Sequence, residues 1–138
     1  MSSAITLACN YALLRFLPYP ETGEFVNVGV VVHGADLGWC GYAGDDQDVR
    51  RVTQFFPAVV ATHYQRQRNA MLEEVERVRA LILKTHDRCL ARSIFQELVR
   101  PRESVFRFGE MRTAMTDDPT ALVARLCEQY VKPRLLPA

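Results

Sequence analysis

The sequence predicts an α+β fold: an antiparallel sheet of about four strands that begins with a hairpin and is covered by helices, including one long helix. Two apolar runs rich in Val, Leu, Phe and Tyr, at 11–17 and 24–32, flank a segment holding Pro18, Pro20 and Gly23, the pattern of a hairpin with a longer loop. The middle of the chain carries apolar residues at helical spacing with charges between them. A late strand pattern returns after the helices, which favours α+β over alternating βα units.

The second run holds Val26, Val28, Val30, Val31 and Val32, suited to a strand covered on at least one face. Strict alternation puts Phe25, Asn27, Gly29 and Val31 on one face and Val26, Val28, Val30 and Val32 on the other. With Leu17 across from Phe25, Arg15 falls opposite Asn27 and Leu13 opposite Gly29; a slip of one residue would part Arg15 from Asn27. Gly29 is expected to make room for a side chain of a neighbouring strand.

A third strand is predicted at 37–43, with Trp39 and Tyr42 framed by Gly34, Gly38, Gly41 and Gly44. Asp45 or Asp46 opens a helix, preceding Val49, Val52, Phe55 and Phe56 at helical spacing, and Pro57 interrupts it and starts the long helix. The apolar stripe of that helix is Val60, Tyr64, Met71, Val75, Val78 and Ile82. A shorter helix from about Ser93 buries Ile94, Phe95, Leu98 and Val99 and is closed by Pro101. Residues 104–116 form the returning strand, with Phe106 and Phe108 on one face together with Glu110 and Arg112, and Gly109 allowing a bulge or a close approach. Asp117 or Asp118 caps the last helix, Pro119 lies in its first turn, and Leu122, Val123, Leu126, Tyr130 and Val131 make its stripe. Without repeats or linkers, residues 1–138 are expected to be one domain with a loose tail from about 133.

Composition narrows the function classes. No stretch approaches the ~20 apolar residues of a membrane span, and no basic-then-apolar leader opens the chain, so a cytoplasmic, non-membrane protein is expected. Cys9, Cys40, Cys89 and Cys127 lack paired short spacing and read as small core hydrophobes. A net charge of +1 argues against a dedicated nucleic-acid binder. The charge is unevenly spread: up to Asp48 the one Lys or Arg is Arg15, against Glu21, Glu24, Asp36, Asp45, Asp46 and Asp48. Arg66, Arg68, Arg77, Arg79, Lys84, Arg88, Arg92, Arg100 and Arg102 then make the middle basic. Such asymmetry serves either an acidic partner or internal pairing.

The block Gly-Glu-Phe-Val-Asn-Val-Gly-Val-Val at 23–31 follows an aromatic-led strand and a Pro-containing loop. Arg112, Ala114 and Met115 precede a Thr116-Asp117-Asp118 step and an amphipathic helix ending near Val131. Together these features, over nearly the whole chain, resemble bacterial domain-of-unknown-function family number three thousand and thirty-seven. The resemblance implies no established activity, substrate or cofactor. It implies a partner, a kinase resembling the HipA type, encoded beside members of the family.

Arg15, Glu24, Asn27 and Arg112 are the candidate ligand-binding residues, since two guanidinium groups and an amide on one face would recognise a carboxylate or phosphate. The competing reading is an internal polar network, with Arg15 paired to Glu24 or Glu110 and Asn27 satisfying backbone groups at a bulge. His33, His63 and His86 lack a metal-ligand spacing, and Asp45, Asp46 and Asp48 suit helix capping better than a Mg²⁺ site. Cys89, near His86 and Arg88, has the only neighbours a cysteine nucleophile would want, at positions pointing in different directions. With no phosphate loop, nucleophile elbow or zinc spacing, no catalytic residue, metal or cofactor is expected. The leading function is therefore a non-catalytic protein-interaction or accessory module. The alternative is an enzyme or sensor for an anionic small molecule through Arg15, Asn27 and Arg112, with Glu24 as acid or base. A third reading is nucleic-acid binding through the long basic helix.

Overall fold

The axis of the sheet is β1 (Leu7–Phe16), which starts earlier than the apolar run at 11–17 suggests. The computed structural model describes residues 6–34, 36 and 38–132. On one side β1 pairs antiparallel with β2 (Val26–Gly34), and β3 (Trp39–Gly44) pairs with the far side of β2. Its other side is shared by β4 (Phe106–Phe108), beside Leu14 and Phe16, and β5 (Arg112–Thr116), beside Leu7 and Tyr11. The sheet runs β3-β2-β1-β4 with β5 also on β1, so it is four strands wide and antiparallel throughout.

The hairpin loop turns at Thr22 and Gly23, whose amides donate to the carbonyls of Tyr19 and Pro20; Gly23, at φ 72°, takes the left-handed conformation that glycine adopts freely. Arg15 lies opposite Asn27 as the sequence predicts. The rest of the predicted register is corrected: Leu14 faces Gly29 and Leu13 faces Val30, because a bulge between Leu14 and Arg15 leaves Val28 as the extra residue of β2. The faces past the bulge exchange accordingly. Val31 joins Val26 and Val28 in one core, and Val30 and Val32 join the other.

The first core lies under α1 (Asp48–Phe55), α2 (Ala61–Lys84) and α3 (Arg88–Val99). Its centre is aromatic, with the Phe16 ring 4.9 Å from Tyr64 and 5.2 Å from Phe106. The second core puts Cys9, Tyr11, Val30 and Val32 under α4 (Pro119–Leu126) and a π-helical turn at Cys127–Val131. Burying the Val and Leu side chains of both cores stabilises the fold by about 1.5–3 kcal/mol each before entropy is counted.

Several helix boundaries differ from those predicted. Pro57 does not begin α2: the Val59 amide donates to the Phe56 carbonyl in a turn, Val60 is extended and exposed, and the helix opens at Ala61. α3 begins at Arg88, not near Ser93, because the Asp87 carboxylate accepts from the amides of Cys89 and Leu90 and caps it. α1 begins at Asp48, while Asp45 accepts from the Gln47 amide just before it. Asp118 caps α4 with Pro119 in the first turn, and Tyr130 is exposed. The single strand predicted at 104–116 is two strands broken at 109–111, where the Gly109 amide donates to the Leu13 carbonyl. The break changes the face, so Phe106 and Phe108 enter the first core while Arg112, opposite Tyr11, shares the side of the second. Leu37, where the third strand was predicted to start, and the tail from 133 lie outside the described residues.

Candidate functional site

Arg15 is placed by three local features. Opposite it on β2 stands Asn27 and opposite it on β4 stands Arg107, whose Nε donates to the Ser104 carbonyl at 2.8 Å; Arg15 and Asn27 project from the α4 side because their neighbours Leu14, Phe16 and Val26 fill the other core. The guanidinium carbon lies 4.2 Å from the Phe25 ring centroid, a cation–π contact. At Gly109 a Cβ would come within 2.8 Å of the same carbon, so glycine there makes the room Arg15 occupies. Tyr11, Leu13, Arg15, Gly109, Glu110, Arg112 and Tyr130 together line a hollow of about 130 Å³. Neither Arg15 nor Arg112 forms an ion pair among the described residues, and Arg15 Nε is buried without a hydrogen-bond partner.

Of the four predicted residues, the structure brings Arg15 and Arg112 into one hollow. Asn27 lies beside it and serves the fold: Nδ2 donates to the Tyr130 carbonyl at 3.1 Å, tying β2 to the π-helical turn. Its Oδ1 is buried without a partner. Glu24 does not join them. It precedes the start of β2, is exposed after the Gly23 turn, and lines a separate hollow with Tyr19, Thr22, Phe55 and Phe56. The pairing of Arg15 with Glu24 or Glu110 is likewise replaced by the stack on Phe25. Gly109 and Tyr130, which also line the hollow, were not singled out as site residues, although Gly109 had a legible signal as a position that allows a close approach.

The acidic and basic halves meet on the opposite side of the sheet. Asp48, 2 % exposed, accepts from the Tyr64 hydroxyl at 2.7 Å and from Arg68 at 2.8 Å. Burial and that hydrogen bond to Asp48 push the Tyr64 hydroxyl pKa well up. Asp45 pairs with Arg51 at 2.6 Å, and Arg51 also donates to the Asn27 carbonyl at 3.4 Å. Along α2, Arg77 pairs with Glu74 at 2.7 Å, and Arg79 pairs with Glu76 and donates through Nε to the Cys40 carbonyl, both at 3.1 Å. No group of three or more His, Cys, Asp or Glu is arranged to hold a metal ion among the described residues.

Cys9, Cys40 and Cys127 are buried, and burial pushes the Cys40 thiol up to about 12. Cys89 is exposed, contrary to the core reading, because it stands in the capped first turn of α3 on the solvent side. His33 is fully buried with its ring 5.0 Å from Phe95 and neither nitrogen hydrogen-bonded. Burial first, and Arg92 second, lower its pKa. Gly29 gives its space to Tyr42, whose ring lies where a Cβ would be. None of the described helices is long and apolar enough to cross a membrane.

Among known proteins, the model of the family described as a protein of unknown function, DUF3037, matches residues 11–131. No curated protein and no solved structure matches the chain.

Proposed function

This chain belongs to the DUF3037 family, and from that footing we propose that it is a non-catalytic recognition module which takes an anionic group, a carboxylate or a phosphate, between Arg15 and Arg112. The observation that carries the reading is the state of Arg15. Its guanidinium is held half-buried by Phe25 and Gly109, with no carboxylate paired to it among the described residues. A charge removed from water costs free energy unless it is paired. An anion arriving from outside would supply that pair, and a guanidinium fork suits a carboxylate or phosphate.

Among the described residues the hollow offers Glu110 as its one acid and no Ser, Cys, Lys or His to act with it, which favours recognition over a reaction. Glu24, the earlier choice of acid or base, lines another hollow. Arg68, Arg77 and Arg79 already have partners within the chain, which weighs against phosphate binding by α2. A kinase resembling the HipA type is the first protein partner to test. Nuclear magnetic resonance titration with inorganic phosphate and with acetate should shift the Arg15 and Arg112 side-chain signals. Arg112→Gln and Gly109→Ala should each abolish the shift of Arg15; shifts that survive both substitutions reject the site.

A further inference from the structure

Resting on that reading, we propose that the anion is presented by an extended, acidic segment of a partner protein that adds as a strand to the free edge of β5. The two outer edges of the sheet differ. At β3, Arg79 Nε donates to the outward Cys40 carbonyl and α2 packs alongside. At β5, apart from its ladder to β1, the backbone of residues 112–115 has no hydrogen-bond partner among the described residues. Unpaired edge amides and carbonyls are a template for another strand.

The side chains set what that strand must carry. Arg112 and Ala114 stand on the hollow's side of β5, opposite Tyr11 and Cys9; Thr113 and Met115 stand on the other side, and Met115 is 58 % exposed. A carboxylate opposite Arg112 therefore lies at the mouth of the hollow, where Arg15 and Arg112 outnumber Glu110 among the described residues. An aliphatic side chain three positions away falls on the opposite side, against Met115. The acid also decides against a second copy of this chain as the occupant, since β5 itself reads Arg-Thr-Ala-Met-Thr and would bring another arginine and no carboxylate.

The test is selection of displayed hexapeptides on the immobilised chain, in parallel with its Arg15→Gln/Arg112→Gln variant, followed by amide hydrogen exchange with the best synthetic peptide. Enriched peptides should share an Asp or Glu with an aliphatic residue three positions away and bind the variant about tenfold more weakly or less. They should slow exchange at alternate amides of residues 112–116. Met115→Asp, at an exposed position, should weaken the same peptides should the double variant fail to fold. No enrichment, enrichment without an acid, or equal binding to the variants overturns the proposal. Acid-dependent binding that leaves the β5 amides unprotected overturns strand addition and keeps the anion site, whereas the absence of phosphate and acetate shifts in the parent chain overturns the anion site itself. A dimer with β5 amides protected before any peptide is added also overturns it.

Discussion

Asp48 and Arg15 are both charged side chains set among apolar ones, yet one is finished and the other is not. Asp48 accepts from a tyrosine and an arginine, both delivered by one face of α2 at positions 64 and 68. Arg15 has a ring beneath it and a glycine beside it, with no ion pair among the described residues. Desolvation costs the same kind of free energy at both places, so the difference separates a cluster closed within the chain from one that, on the proposed function, an outside anion would close.

The sharpest way to break the comparison is Asp48→Ala. It strands the buried Tyr64 hydroxyl and a partly exposed Arg68, and a urea titration should show a loss of about 2–4 kcal/mol. A loss below about 1 kcal/mol would mean that the finished cluster contributes no more than a surface pair. His33 supplies an intermediate case, buried and unpartnered but neutral. Its folded pKa lies below the ordinary 6.5, so the stability it contributes is intact above 6.5 and lost as pH falls from there through the folded value. His33→Leu should flatten the stability profile in that window, and a slope equal to that of the parent would assign the loss to other groups.

Asn27→Ala removes the bond to the Tyr130 carbonyl and should cost about 1 kcal/mol in the same titration, with a near-zero change moving Asn27 from the fold to the hollow. The smallest effect is expected at Arg107→Gln, which removes a positive charge from the position opposite Arg15 at the expense of the Nε bond to the Ser104 carbonyl. Thermal unfolding at low salt should show a gain of about 0.5 kcal/mol that vanishes at high salt. A loss of stability there would show that Arg107 holds the fold and would weaken the contrast with Asp48.

Much of the sheet was legible, and the misses have physical causes. Arg15 opposite Asn27 followed from alternation on either side of a turn, which survives ignorance of the rest of the strand. The bulge at Val28 did not, since in a run of valines either neighbour can be the extra residue without changing composition. Glu24 was drawn into the cluster by an apolar pattern that extended the strand past its true start at Val26. The Asp48 network was not visible: three aspartates before a helix suggested capping, but α1 has no side-chain cap, Asp45 accepts from the Gln47 amide ahead of it, and the tertiary partners of Asp48 come from a helix that sequence spacing cannot dock. The N-cap of α3 was missed because the apolar stripe begins a turn later than Asp87.

The Arg79 cap over Cys40 also sets an upper limit on misassembly. Fibre growth by edge-to-edge strand pairing requires units that join on both flanks, so that each arrival exposes a new place for the next. With the β3 flank covered by Arg79 and α2 and the β5 flank open, the described residues are monovalent in that sense, and two copies meeting at β5 would leave no growing end among them.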